Sequence, residues 1–112
     1  MPGKYDQELF ALKAELCKTF ADPKRLMILE ELRDGERTVG ELARALDVPH
    51  SAASRHLSVL RERGAVTTRR EGTSIYYSLT DKSIGEACQL VHQVLLGMME
   101  RNRALAEKVM HQ

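Results

Sequence analysis

Residues 38–79 read TVGELARALDVPHSAASRHLSVLRERGAVTTRREGTSIYYSL, and this stretch decides the fold. Its apolar residues recur every three to four positions at first, and every second position near its end. The first spacing is typical of amphipathic helices, whereas the second is typical of a half-buried strand. The stretch therefore predicts two helices followed by a β-hairpin.

The first of these helices is predicted to begin directly after Thr38. Thr38 and Glu41 have the spacing of a capping box, in which each side chain binds a free amide at the start of a helix. Residues 47–49 end the helix, because their proline cannot continue it but suits the opening of the next one. The second helix is expected from about Pro49 to Arg63. Gly64 stands where a left-handed C-cap residue belongs.

The second helix has an inner and an outer side. Ala53, Leu57 and Leu60 share one side and are expected to pack inward. The opposite side of its first turns carries polar residues, namely His50, Ser51, Ser54 and Arg55. A recognition helix presents its N-terminal residues to DNA bases in this way.

The hairpin completes the predicted fold. Ile75, Tyr77 and Leu79 alternate with Ser74, Tyr76 and Ser78, which predicts a half-buried strand. The basic segment 69–73 is predicted to form the tip of a wing. We expect a mainly α protein with a small β-hairpin, that is, a winged helix-turn-helix. Residues 1–112 are expected to form a single domain whose parts are the helix-turn-helix (38–64), the wing (65–80) and two dimerisation helices (about 1–21 and 82–111).

Positive charge is concentrated in the part of the chain that is expected to meet DNA. The whole chain has a net charge of only +1. Residues 49–80, however, carry five basic and two acidic side chains, whereas residues 1–48 carry eight and ten, and residues 81–112 carry four and four. Because Lys and Arg contacts to phosphate supply most of the sequence-independent affinity for DNA, this clustering favours double-stranded DNA as a partner.

A further helix is predicted before this region, over residues 22–33. Asp22 is an expected N-cap, Pro23 suits the first helical position and Gly35 lies just past the end. Its apolar residues predict a core helix; they are Leu26, Ile28, Leu29 and Leu32.

The first and last helices are predicted to form a dimer. In the last helix, apolar residues recur in steps of four and three for almost four heptads and are interrupted only by Asn102. The members of this seam are Ile84, Cys88, Val91, Leu95, Met98, Leu105 and Val109. An isolated helix would expose this stripe, so we expect it to pair with a second copy, helped by Leu9, Leu12, Leu16 and Phe20. The alternative is that the helix covers only its own domain.

Five segments of the chain resemble the ArsR/SmtB family of bacterial repressors. They are LCKTFADPKRLMIL (16–29), VGEL (39–42), SRHLSVLR (54–61), RREG (69–72) and YYSL (76–79), and the resemblance spans about residues 9–97. It implies a homodimeric repressor that binds a palindromic operator near its own promoter and leaves it when an inducer arrives. It also implies that the first and last helices form the dimer interface.

Two metal sites of the family are missing from this sequence. Where some members carry a Cys-x-Cys pair, this chain has Ala43 and Ala45. Where others bind zinc between the last helices, Asp81 is present, but the other three ligand positions are occupied by Ser83, Val94 and Gly97. The resemblance therefore does not identify the inducer.

Cys17 and Cys88 are the remaining candidates for an inducer site, and three interpretations are open. Both can be small buried hydrophobic residues. They can also form a thiol switch, in which a disulfide or polysulfide bridge changes the dimer angle. This interpretation resembles the family's persulfide sensors, except that Glu30 stands at the position of their other cysteine. Finally, Cys17, Cys88 and His92 can bind a metal or metalloid ion, although a closed zinc site requires four ligands.

Each candidate DNA contact has an expected role. Arg55 is the best candidate for reading bases, because its guanidinium can make a bidentate contact to guanine. Ser51 and Ser54 are expected to touch bases or phosphates, and His50 and His56 are further candidates. Three residues of the wing are expected to meet backbone phosphates, which position a protein without specifying sequence; they are Arg69, Arg70 and Thr73.

Several other functions are disfavoured by the sequence. It has no paired carboxylates, nucleophile motif or glycine-rich phosphate loop, so we expect neither an enzyme nor a cofactor. The polar N-terminus and the lack of a long apolar run predict a cytoplasmic protein with no membrane segment and with reduced cysteines. A winged-helix module that binds only proteins is the alternative to a DNA-binding regulator, and salt dependence of DNA binding would discriminate between them.

Overall fold

The computed structural model describes residues 3–111, so the first two residues and the last residue of the expected domain lie outside the described part. Five helices, one short 3₁₀ turn and three strands follow one another in this part of the chain. In order they are α1 (Gln7–Phe20), α2 (Pro23–Glu31), the 3₁₀ turn (Leu32–Asp34), β1 (Arg37–Thr38), α3 (Val39–Leu46), α4 (His50–Glu62), β2 (Val66–Glu71), β3 (Ser74–Leu79) and α5 (Lys82–Met110). This order confirms the predicted winged helix-turn-helix.

Side-chain caps set the starts of four helices. Asp6, Asp22 and Asp81 accept backbone N–H groups at the starts of α1, α2 and α5. At α3 the capping box is complete, because Thr38 Oγ1 accepts the amide of Glu41 at 3.2 Å and Glu41 Oε1 accepts the amide of Thr38 at 2.9 Å. The predicted caps at Asp22 and Thr38 are therefore confirmed.

The turn between α3 and α4 fixes the helix-turn-helix. Asp47 ends α3 in the left-handed conformation, with φ of 54°, and its amide donates to the last turn of the helix. Pro49 is the N-cap of α4 rather than its first residue. At the other end of α4, Gly64 has φ of 80°, as expected for a left-handed residue after a helix.

The wing belongs to a three-stranded antiparallel sheet with the order β1-β3-β2. The expectation of a two-stranded hairpin was therefore incomplete, because β1 adds a third strand beside β3. A strand of two residues is too short to give an alternating pattern, so the sequence does not reveal it. Gly72 and Thr73 connect β2 and β3, and the positive φ of Gly72 suits the first position of a two-residue hairpin turn.

The core lies where α2, α3 and α4 meet the sheet. Its members are Ile28, Leu29, Leu32, Leu42, Leu46, Leu57, Leu60, Ala65 and Val66. Three of the four residues predicted for the core of α2 are among them. Leu26 is the exception, because 43% of its surface is exposed. It lies near the start of α2, where the neighbouring elements cover only part of its side chain.

The last helix is anchored by its first two turns only. Gly85 is buried so closely against Arg33 that an added Cβ would lie 2.7 Å from Arg33 Cγ. Ile84 and Cys88 pack against the core, whereas the apolar side chains beyond them are exposed. The radius of gyration is 18.2 Å, compared with about 13 Å for a compact domain of this length. The protomer is thus elongated.

We predict that Thr38→Ala lowers the free energy of unfolding by about 0.5–2 kcal/mol, because α3 loses its side-chain cap. Thr38→Ser keeps the hydroxyl and should remain close to wild type, and urea denaturation compares the three proteins. The backbone amide of Thr38, which donates to the Glu41 carboxylate, and the Thr38 side chain hold the pKa of Glu41 below its ordinary value of 4.5. The contribution of the Glu41 carboxylate to stability should therefore be present at pH 7 and be lost as the pH falls through that lowered pKa. Equal stability of all three proteins at pH 7 would contradict the prediction.

Candidate nucleic-acid interface

The outer side of α4 is a continuous polar surface. His50, Ser51 and Arg55 are exposed, as the sequence predicted for this side, whereas Ser54 is half-buried. Ser58 and Arg61 are also exposed on this side and were not among the predicted contacts. Their spacing from Ser54, four and seven residues, was the signal that could have found them.

The start of α4 differs from the starts of the other four helices. Pro49 provides no side-chain cap, and its carbonyl accepts the amides of Ala52 and Ala53 at 3.0 and 3.2 Å. Within residues 3–111, the amides of His50 and Ser51 have no hydrogen-bond acceptor. Free amides at a helix start, together with the helix dipole, favour a bound anion such as phosphate.

His56 does not join this polar surface. Its side chain is only 14% exposed, and its Nδ1 lies 4.0 Å from the Oδ1 of Asp22. Asp22 caps α2 through the amides of Arg25 and Lys24, and these bonds, together with His56, lower the pKa of its carboxyl group. The histidine packs α4 against the start of α2, which does not favour a contact between His56 and DNA, and that contact stays a prediction.

The arginines of this region fall into two groups. Arg63 Nη1 lies 3.5 Å from a carboxylate oxygen of Glu15, and Arg69 binds two carboxylates. Three other arginines are exposed and form no ion pair with any residue of the described part of the chain: Arg55, Arg61 and Arg70. Arg55 and Arg61 lie on α4, and Arg70 lies on the wing near the exposed Thr73.

The two cysteines have different surroundings. Cys17 is exposed on α1, whereas Cys88 is half-buried on α5 and packs against the core. Burial raises the pKa of the Cys88 thiol, and the negative charge of Glu30 raises it further, partly offset by Arg33. The residue that replaces a cysteine of the persulfide sensors, Glu30, is thus close enough to Cys88 to influence its ionisation. Both α1 and α5 pack against α2.

The candidate metal ligands do not meet within one protomer. Among residues 3–111, no three His, Cys, Asp or Glu side chains are arranged to hold a metal ion. His92 is exposed on α5, one turn beyond the half-buried Cys88. A site built from Cys17, Cys88 and His92 would therefore need a second chain.

A large apolar surface remains uncovered on α1 and α5. Val91, Leu95 and Leu105 of the predicted seam are 68%, 53% and 62% exposed, and Leu12 of α1 is 66% exposed. Exposure also extends beyond the seam, to Leu90, Val94, Leu96 and Met99. The accessible surface of 8595 Å² exceeds that of a compact 12.7 kDa protein by roughly 2,000 Å². The alternative that α5 covers only its own domain holds for its first turns alone.

Comparisons with known proteins agree with this geometry. A family model described as a helix-turn-helix domain matches residues 20–69. The chain is 37% identical over 102 residues to the HTH-type transcriptional regulator Rv0081 of Mycobacterium tuberculosis, and this match covers 90% of each chain. It is 39% identical over 79 residues to the transcriptional activator HlyU of Vibrio cholerae, with coverage of 70% of this chain and 73% of HlyU.

Among solved structures, the chain resembles the winged helix-turn-helix domain of Mb0332 from Mycobacterium bovis. That domain is described as homodimeric, as DNA-binding and as part of a possible ArsR-family transcriptional regulator. The TM-score is 0.77 at 34% identity, and the match covers 90% of this chain and 95% of the other. The likeness therefore extends beyond the helix-turn-helix to most of the two flanking helices.

Proposed function

Because the chain belongs to the ArsR/SmtB family of winged helix-turn-helix transcriptional regulators, we propose that it represses transcription as a homodimer bound to double-stranded operator DNA. Its relatives are transcriptional regulators, which confirms the expectation that it is not an enzyme. The observation that carries the proposal is the uncapped start of α4, which exposes free amides beside Ser51 and Arg55. Membership of the family does not identify the inducer, which is therefore proposed separately below.

The proposed contacts divide between base reading and phosphate binding. Arg55 lies in the second turn of α4, free of any ion pair within residues 3–111, and reads a base in the major groove. The free amides at the start of α4 and the exposed Arg70 of the wing bind backbone phosphates on either side. His50, Ser51, Ser54 and Thr73 stay candidates for contacts of either kind.

A second copy of the chain is the proposed occupant of the apolar surface on α1 and α5. The excess of about 2,000 Å² on each protomer amounts to roughly 4,000 Å² for two, which lies within the about 2,000–5,000 Å² of total surface that obligate dimer interfaces bury. A two-fold dimer would place two α4 helices about 34 Å apart, so that they enter successive major grooves of a palindromic site. DNA binding also requires access to the chromosome, which supports a cytoplasmic location. No helix of residues 3–111 is both long and apolar enough to cross a membrane.

Repression is the direction of regulation that we propose, although HlyU is named as an activator. Occupying a promoter is sufficient to repress it, whereas activation requires an additional contact with the transcription machinery. The exposed face of α4 and the wing supply the DNA contacts that such occupancy requires.

For the inducer, we propose a thiol-reactive molecule, either an oxidant or a reactive sulfur species. Cys17 reacts first because it is exposed, whereas the raised pKa of Cys88 makes it a poor first nucleophile at neutral pH. Cys88 then acts as the resolving thiol. Joining the two thiols as a disulfide releases two protons and transfers two electrons to the oxidant. The bridge would tie α1 to α5, change the dimer angle and lower DNA affinity. A metal ion shared between protomers through Cys17, Cys88 and His92 is the alternative inducer.

We predict that Arg55→Ala weakens binding to a preferred duplex by about 1–3 kcal/mol and changes binding to random-sequence DNA little. The preferred duplex is the one that the wild-type protein enriches from a random pool, and fluorescence anisotropy measures the affinities. Arg70→Ala should weaken binding to both DNAs and lower the salt slope of log K by about one per protomer. Arg101→Ala, on the far part of α5, removes one positive charge as a control. Failure of the wild-type protein to enrich any duplex would reject the DNA-binding function.

We predict that a mild oxidant or polysulfide lowers affinity for the preferred duplex about 5- to 150-fold, and that a reductant restores it. Cys17→Ser and Cys88→Ser should each abolish the response, and iodoacetamide should alkylate Cys17 faster than Cys88. A non-reducing gel distinguishes a bridge within one chain from a bridge between two. Unchanged affinity after oxidation of the wild-type protein would reject the thiol switch, and a loss with added zinc instead would favour the metal site.

A further inference from the structure

Arg69 was expected to bind phosphate, but its side chain is already occupied. Its Nε donates to Glu36 Oε2 at 3.1 Å, its Nη2 donates to Glu36 Oε1, and its Nη1 donates to Glu71 Oε2 at 2.9 Å. The guanidinium carbon also lies 4.8 Å from the centre of the Tyr76 ring. Carboxylates thus accept from all three guanidinium nitrogens, and an aromatic ring lies against one face.

This arrangement spans the whole sheet. Arg69 lies on β2, and Tyr76 is its directly opposite partner on the central strand β3. Glu36 directly precedes β1, the strand on the far side of β3. The Arg69 side chain therefore crosses β3 over Tyr76 and joins the two outer parts of the sheet. A single surface ion pair contributes little, but a bidentate pair within a network, stacked on a ring, is a stronger restraint.

The pairing of Arg69 with Glu36, called the tie below, also connects the wing to the helix-turn-helix. Glu36 is two residues before Thr38, which is the N-cap of α3, and Arg37 between them donates to the carbonyl of Glu36 at 2.9 Å. Beyond the tie, β2 and β3 are joined by two further residue pairs, Arg70 with Ile75 and Glu71 with Ser74, and by the two-residue turn at residues 72–73. Without the tie, the distal half of the hairpin, where Arg70 lies, loses its only side-chain hydrogen bonds to the residues before α3 within the described chain.

Charge argues against a direct phosphate contact by Arg69. Two carboxylates surround this one guanidinium, so the cluster of Glu36, Arg69 and Glu71 carries a net negative charge. The hydrogen bond and charge of Arg69 lower the pKa of Glu36, so this carboxylate stays ionised at neutral pH. A phosphate approaching Arg69 would be repelled by both acids, whereas no carboxylate of residues 3–111 pairs with Arg70.

We infer that Arg69 and Glu36 are positioning residues, which hold the wing so that Arg70 meets the DNA backbone, and that Arg69 itself does not contact DNA. The inference rests on the proposed DNA-binding function. It assigns different roles to two adjacent arginines that the sequence presents as equivalent.

Glu36→Gln is the sharpest test, because it leaves Arg69 in place and frees it. If Arg69 only positions the wing, we expect this variant to bind the preferred duplex about 3- to 30-fold more weakly, which lies within the range of coupling between neighbouring residues. If Arg69 contacts phosphate, removing the competing carboxylate should leave binding unchanged or strengthen it. Glu86→Gln, an exposed carboxylate on α5, is the matched control for the change in charge.

Double variants separate the two roles further. In an Arg70→Ala background, Arg69→Ala and Glu36→Gln should have little additional effect, because both act through the placement of Arg70. The exchange Glu36→Arg with Arg69→Glu restores the pair and should recover most of the lost affinity. Additive losses in the Arg70→Ala background, or no recovery by the exchanged pair, would overturn the inference.

Amide hydrogen exchange tests the tie without DNA. Glu36→Gln should speed exchange in residues 66–79 of the free protein and leave α4 unchanged, with urea denaturation confirming that all variants are folded. Unchanged exchange in the wing together with unchanged binding would refute the positioning role while leaving the DNA-binding function intact. Absence of DNA binding by the wild-type protein, with faster wing exchange in the variant, would reject the proposed function but not the tie.

Discussion

The burial of one side of α4 is the constraint on which the rest of the structure depends. Ala53, Leu57 and Leu60 have no exposed surface, so the rotation of this helix about its axis is fixed. Interiors are packed as densely as organic crystals, so the helix cannot turn without opening a cavity. His56 adds a contact with the capped start of α2. With its rotation fixed, α4 can present only one face to a partner, and that face carries Ser51, Arg55 and Arg61.

The surroundings of α4 convert this fixed face into an interface. The sheet holds the wing beside it, and the Arg69 network restrains the outer part of the hairpin. On the other side, α1 and α5 expose apolar surface that a single chain does not cover. A protomer of this shape is incomplete, because the apolar surface that would be buried lies on helices distant from its core. Dimerisation would solve this problem and would set the distance between two copies of α4.

Local chemistry made much of the fold predictable from the sequence. The capping box at Thr38, the proline at position 49 and the glycine at position 64 each act through backbone geometry that a sequence reveals directly. The third strand was missed because two residues give no pattern. Leu26 was misplaced because periodicity identifies the apolar residues of a helix but not how far its neighbours extend.

The candidate site was less predictable, since it depends on contacts between distant residues. Nothing near Arg69 in the sequence shows that Glu36, 33 positions away, binds its guanidinium. Likewise, His56 looks like a polar residue of α4 until Asp22 is placed beside it. The sequence therefore identified the helix and wing that form the surface, but not which of their charged side chains remain free.

Hydroxyl-radical footprinting of the enriched duplex distinguishes a two-fold dimer, with one α4 helix in each of two successive major grooves, from other modes of binding. Such a dimer should give two protected patches, about 10 base pairs apart and on the same face of the duplex, with half-sites that form a palindrome. A single protected patch, or protection without a defined spacing, would contradict it.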